Sequence, residues 1–493
     1  MTADIRPDTH PAAPRRHPQT AALRPSTRLL HAGTPPLQGG SGPVNVPVVR
    51  TSTVRFADSA AYADLHHRRE AGERVASYGR HGLDTHRALE DAVVALEGGH
   101  RAFLTPSGLS AITLVLIALL SPGDHALVAD SVYSPVRRVD ATLLQRLGIT
   151  LEYFSPSRDD LAGKIRPNTR LVYLESPSSL LYEVLDLPAL AAVARQQGIA
   201  VATDNTWSGG WFYQPLEHGA NLSIQAATKY IAGHSDVMQG IVITDGPALS
   251  KKISTAYEAL GLTIGADDAY LALRGLRTLP VRLAQHQRHA TEIAQWLEHQ
   301  PQVGRVFYPA LPSDPGHALW KRDFSGASGL VSFAFAEGVD AGAGAVFVDS
   351  LRQFAQGASW GGYESLALVA QPERLREHSV WTGTAPVVRL HVGLEDPLDL
   401  IADLERGFGG GGGAVQAGCL RFFGLCCVCC VLLRLLVLAL PGGFFSRPGL
   451  GPAADLLFFV SPKESRQSKG DPDVRDPPLR CGQPASWRLR GSP

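Results

Sequence analysis

Between Ser107 and Thr244, short apolar runs alternate with helix-length runs, and this alternation constrains the fold more than any other feature of the chain. Ser110–Leu120 predicts a helix closed by Ser121-Pro122-Gly123. His125–Ala129 predicts a strand, and Val136–Leu147 returns to helical spacing through Val136, Val139, Leu143 and Leu147. Thr150–Phe154, Arg170–Leu174, Ile199–Thr203, Leu222–Ala226 and Ile241–Thr244 read as further strands, with an Ala-rich helix at Leu187–Gln197 ending at Gly198. Strands that alternate with helices build a mostly parallel sheet covered by helices. Ligands of such sheets bind beyond the carboxyl ends of the strands, so chemistry is expected there.

A second pattern follows. Arg282–Gln300 predicts an amphipathic helix with Leu283, Ile293, Trp296 and Leu297 on one stripe. Val303–Tyr308, Gly329–Ala336 and Val387–Val392 predict strands, and Pro397–Phe408 a helix with Leu398, Ile401 and Leu404 on its apolar face. The expected organisation is an arm over 1–25, an N-terminal segment over 26–85 and a large domain over 86–280. A smaller α/β domain over 281–408 and a tail over 409–493 complete it. The arm carries five prolines and no apolar period, a composition that does not fold by itself. No apolar run follows the start to make a secretory signal, so a cytoplasmic location is expected.

Composition excludes several classes. With 46 basic and 46 acidic residues the chain has no net charge, which argues against nucleic-acid binding through a bulk basic surface. All six cysteines lie after residue 418, which excludes a thiol nucleophile or cysteine-ligated metal before that point. The tail opens on five glycines, Gly409–Gly413, and runs into the apolar stretch Cys419–Leu440, interrupted by Arg421 and Arg434. Its length permits a membrane span, but an arginine mid-span costs about 2.5–3.5 kcal/mol. The stronger reading is a segment outside the folded body, from a shifted frame or read-through; a membrane anchor is the alternative.

The chemistry points to one cluster. Lys229 follows Thr228 at a predicted strand end, and Asp204 ends another apolar strand before Asn205-Thr206. A lysine that forms a Schiff base and an acid that faces a pyridinium nitrogen are what pyridoxal-phosphate chemistry requires. Thr105-Pro106-Ser107-Gly108-Leu109 precedes a helix, so its backbone N–H groups can meet a phosphate, and the Thr228 hydroxyl can add to them.

The chain resembles the Cys/Met-metabolism family of pyridoxal-phosphate enzymes over about residues 25–408. The resemblance is carried by Tyr78-Gly79-Arg80, Leu96-Glu97-Gly98-Gly99, Leu174-Glu175-Ser176-Pro177, Asp204 through Trp207, and Ser223 through Tyr230. It continues in Gly233 through Asp236, Arg274 through Leu279, Ser359 through Ser365 and Arg389 through Asp396. It implies the aminotransferase-like fold (fold type I): a large α/β domain with a mostly parallel sheet, then a smaller C-terminal α/β domain.

It also implies roles. Lys229 is the Schiff-base lysine, Asp204 holds the pyridine nitrogen, and Tyr133 stacks on the ring. Gly108 and Leu109 give N–H groups to the phosphate. Tyr78 and Arg80 reach the phosphate of a neighbouring subunit, implying a homo-oligomer, a dimer with shared sites assembled into a tetramer. Arg389 clamps the α-carboxylate of a small amino-acid substrate, with Ser359 and Trp360 lining the pocket. Trp360, the lack of a glutamate at Ala358, and Ser178-Ser179 after Glu175-Ser176-Pro177 point to β-elimination at a carbon–sulfur bond; a γ-acting member is the alternative. Lys229 serves as base for the Cα proton, and either Tyr133 or Lys229 protonates the leaving sulfur. His81 and Ala226 depart from the family pattern, where an arginine and a serine are common.

Other motifs read as bland. Gly357-Ala358-Ser359-Trp360-Gly361 fits a hydrolase elbow, but no helix is predicted after it. His286-x-x-His289 lacks a third ligand and reads as a solvated helix face, and no metal is expected. His66-His67 reads as polar helix surface.

Overall fold

The computed structural model describes residues 23–409, apart from 36, 38, 157, 373–380 and 382. The expectations for residues 1–22 and 410–493 lie outside the described residues. Seven strands form the first sheet: β1 (Arg101–Thr105), β2 (His125–Ala129), β3 (Thr150–Phe154), β4 (Thr169–Glu175), β5 (Ala200–Asp204), β6 (Leu222–Gln225) and β7 (Gly240–Thr244). Their order is β1-β7-β6-β5-β4-β2-β3. β7 runs antiparallel to β1 and β6, and every other pairing is parallel.

β2 and β7 are buried at every residue, as strands covered on both faces must be. Alternation sorts their side chains between two cores. Val242 of β7 packs into the core containing helix Gly108–Leu119, whereas Ile241 and Ile243 pack with helix Asp84–Glu97. Local signals set the helix ends. Ser107 caps Gly108–Leu119 by accepting from Ser110 N. Gly98, at φ 78°, ends Asp84–Glu97 in the left-handed conformation that glycine tolerates.

The second sheet contains β8 (Val303–Phe307), β9 (Leu330–Phe335), β10 (Ala355–Gln356), β11 (Leu366–Ala370) and β12 (Val387–His391), in the order β10-β11-β12-β9-β8. It is antiparallel except for β10–β11. Helix Leu279–Glu298 packs on β8 and β9. Among the described residues no helix is long and apolar enough to cross a membrane.

Several expectations change. The helix expected over 136–147 breaks into an α-helical turn (Pro135–Val139), a π turn (Asp140–Leu144) and a 3-10 turn (Gln145–Leu147). In the helix over 397–409 the buried stripe is Leu400, Leu404 and Phe408, an i, i+4, i+8 series, while Leu398 points to solvent. His286 and His289 are not a solvated face: both are buried, with Nδ1 atoms 2.8 and 3.3 Å from the carbonyls of Val392 and Gly393. Those carbonyls follow β12 and supply partners that the helix pattern cannot reveal. The apparent elbow at 357–361 is followed by turns and then β11, not by a helix.

Candidate active site

Parallel strands β4, β5 and β6 end on the same edge, at Glu175, Asp204 and Gln225, with Glu175 and Asp204 in register. Asp204 is 8% exposed. Its Oδ1 accepts from Thr206 N at 2.9 Å and Thr206 Oγ1 at 2.5 Å, and Thr206 Oγ1 in turn accepts from Ala226 N at 2.9 Å. Oδ2 has no hydrogen-bond partner among the described residues. Burial raises the Asp204 pKa, opposed by the Thr206 bonds and by Lys229.

Lys229 lies in the turn after β6. Its Nζ donates to Ser359 Oγ at 2.7 Å and stands 5.2 Å from the centre of the Trp360 ring. Burial first, then the Arg389 charge, lowers its pKa to about 8, with Asp204 pulling the other way. The loop after β10 presses on the same turn. Gly361 has φ 90°, and a Cβ there would stand 2.8 Å from the Lys229 carbonyl carbon, so only glycine fits.

Two residues of β12 hold this loop. Arg389, 4% exposed, donates from Nη2 to Gly357 O at 3.0 Å and Ala358 O at 3.1 Å. Two residues on, and so on the same face of the strand, His391 Nε2 accepts from Gly361 N at 3.0 Å. Arg389 Nε is buried without a partner, and the guanidinium meets no carboxylate among the described residues. An unpaired buried guanidinium is costly and suits an anionic ligand.

Helix Gly108–Leu119 aims its first turn toward the same region. A Cβ on Gly108 would come within 2.7 Å of the Ala226 Cβ, so the glycine permits this close approach. The N–H groups of Gly108 and Leu109 have no partner among the described residues, as the first groups of a helix do not. They form an anion-binding end. Tyr133 is 46% exposed; its N–H donates to Glu175 Oε2 at 2.5 Å, and burial followed by the charges of Asp204 and Glu175 raises its phenol pKa. The Thr228 hydroxyl exchanges bonds with the Gln239 backbone, donating to its carbonyl at 3.2 Å and accepting from its N–H at 2.9 Å. To donate to a phosphate it must give up that carbonyl.

Lys229, Asp204, Ser359, Trp360 and Arg389 thus come together, with Tyr133 close enough to feel the Asp204 charge. Tyr78 and Arg80 do not join them. Both are exposed, and Arg80 Nη1 donates to Glu258 O of helix Pro247–Ala259 at 3.3 Å. Sequence reasoning overlooked Glu175, Thr206 and His391 as site residues. The available signal was two acids closing adjacent strands and a histidine two positions after a candidate arginine.

The residues fit a pyridine aldehyde phosphate: a desolvated amine, and, among the described residues, an acid with one oxygen not hydrogen-bonded and a helix N-terminus whose first N–H groups have no partner. Residues 26–409 match the model of the Cys/Met metabolism PLP-dependent enzyme family. The chain is 50% identical over 365 residues to a cystathionine beta-lyase of Bordetella avium, covering 74% of this chain and 91% of that one. It is 40% identical over 373 residues to a cystathionine beta-lyase of Escherichia coli, covering 74% and 94%. A solved cystathionine gamma synthase from Xanthomonas oryzae superposes with a TM-score of 0.71 at 33% identity, covering 79% of this chain and 99% of that one.

Proposed function

Because the chain belongs to the Cys/Met-metabolism family of pyridoxal-phosphate-dependent enzymes, we propose that this carbon–sulfur lyase cleaves L-cystathionine by β-elimination, giving homocysteine and, with one water from solvent, pyruvate and ammonia. The observation that carries the reading is the placement of Lys229 Nζ 2.7 Å from Ser359 Oγ, where the charges of the buried Asp204 and the buried Arg389 both reach it. Lys229, Asp204, Tyr133 and the N–H groups of Gly108 and Leu109 are the residues assigned to the cofactor. When bound, the cofactor supplies the electron sink that acidifies the substrate Cα–H bond and lets the Cβ–S bond break.

The protein's own groups do the rest. Arg389 binds the α-carboxylate through a charge-assisted contact and so fixes which substrate bond faces the sink. Lys229 Nζ takes the Cα proton; a pKa of about 8 leaves a useful neutral fraction near neutral pH. The sulfur leaves with a proton from Tyr133 Oη or Lys229 Nζ. Asp204, held by Thr206, would hold the cofactor's ring nitrogen and keep it protonated. Ser359 and Trp360 line the substrate side.

The β reading over the γ reading is supported by Trp360 beside Lys229 and by the 50% identity to a protein named for β-lysis, against 33% to one named for γ-synthesis. Product analysis with cystathionine tests it: pyruvate with homocysteine supports β-elimination, and 2-oxobutyrate with cysteine rejects it. We propose further that the enzyme is cytoplasmic and forms a homo-oligomer in which Tyr78 and Arg80 complete the site of a neighbouring copy.

A further inference from the structure

Glu97 has no task in this chemistry, yet its setting is costly. It is the last residue of helix Asp84–Glu97 and is fully buried. A carboxylate at that end meets the negative pole of the helix as well as the cost of desolvation. No cation pairs with it among the described residues, and the Asp204 charge opposes its ionisation further; burial pushes its pKa up to about 7.

What surrounds it is a set of neutral donors from two strand ends. Asn205 Nδ2 donates to both oxygens, at 3.3 and 3.2 Å. Ser223 Oγ donates at 2.9 Å and Gln225 Nε2 at 2.5 Å. Gln225 Nε2 also donates to the Asn205 backbone carbonyl at 3.0 Å, tying β6 directly to the chain after β5. Asn205 is further held through Tyr213 O at 2.9 Å and Ser208 Oγ at 2.6 Å. Asn205 directly follows Asp204, and Gln225 precedes Lys229 by four residues.

We propose that Glu97 is a positioning residue: its carboxyl group locks the ends of β5 and β6 together and thereby fixes the separation of Asp204 and Lys229. Thr206 ties the same two segments from the site side, through Asp204 and Ala226. Glu97 ties them from behind. The inference rests on the assignment of Asp204 and Lys229 to the cofactor.

Glu97→Gln keeps size but turns an amide toward three donors, so Asn205 or Gln225 must reorient. In the folded holoenzyme we expect a shifted visible band, cofactor Kd weakened about tenfold and kcat reduced about tenfold, with KM changed by less than about twofold. Thermal melting of the apo protein reports folding separately. A purely structural Glu97 would lower the melting temperature and leave band, Kd and kcat per loaded site unchanged; that result overturns the proposal. If Glu97→Gln does not fold, Glu97→Asp, which keeps the charge one methylene short, decides by the same titration: weakened Kd in a folded protein supports the role and unchanged Kd rejects it. Lys229→Ala runs alongside. If it loses the band while Glu97→Gln matches the parent, the positioning role alone fails. If Lys229→Ala keeps the band, the site assignment fails, and the inference with it.

Discussion

Replacing Arg389 with leucine should weaken substrate binding far more than cofactor binding, and should also change how Lys229 titrates. The guanidinium is held through Nη2 by the Gly357 and Ala358 carbonyls, and Nε is buried and unpaired. A charge-assisted bond to the substrate carboxylate is worth about 1.5–3 kcal/mol, so its loss should raise KM by about 10- to 150-fold. The second effect follows from the Lys229 environment. After burial, the Arg389 charge is the next largest cause that lowers the Lys229 pKa to about 8. Without that charge the pKa rises, and a higher pH is needed to reach the neutral amine. The assay is the rate at which the apo protein captures the cofactor, read by visible absorbance at each pH, because only the neutral amine attacks the aldehyde. The parent should show a midpoint near 8, and Arg389→Leu a higher one. Arg389→Lys separates the effects, because it keeps the charge and loses the planar fork: KM rises and the midpoint stays. An unchanged KM in Arg389→Leu refutes the clamp, and an unmoved midpoint refutes the coupling.

Lys229→Ala should lose the visible band of the bound cofactor and nearly all turnover, whereas Asp204→Ala should still bind cofactor and stall, because an unprotonated ring is a poor sink; absorbance and product assays read both. Arg80→Ala should weaken cofactor binding. Mixed with Lys229→Ala in verified mixed oligomers, it should recover activity that neither has alone, and no recovery counts against shared sites. A chain stopped after residue 409 should fold, bind cofactor and match the full chain in specific activity. The family match ends there, and Leu400, Leu404 and Phe408 already seat the last described helix on the core. An insoluble or inactive truncation would reject that expectation.

The strands from 125 to 244 were legible because a strand covered on both faces is a short apolar run bounded by turns. β1 was not, since Arg101-Ala102-Phe103-Leu104-Thr105 is a mixed run at the sheet edge, paired antiparallel with β7. Asp204 and Lys229 stood out because each closes an apolar run. Glu97 did not, since a glutamate at a helix end reads as solvated until the β5 and β6 ends bring Asn205, Ser223 and Gln225 to it. The buried His286 and His289 misled for the same reason: their partners are the carbonyls of Val392 and Gly393, more than a hundred residues away.

The two sheets divide the work in a way that bears on reaction choice. On the proposed assignment, the edge of the first sheet carries the amine, the acid and the helix N-terminus that serve the cofactor. The second sheet, through Arg389 and His391 on one face of β12, holds the loop that presents Ser359 and Trp360. That loop has little freedom, because the Gly361 backbone already lies against the backbone of Lys229. A change from β- to γ-chemistry therefore need not disturb the cofactor residues. On the proposed reading it can be made at positions 358 and 360, in a loop whose backbone is held at Gly357, Ala358 and Gly361. Exchanging Ala358 and Trp360 together is accordingly the smallest alteration that should move the product ratio while leaving cofactor affinity as it was.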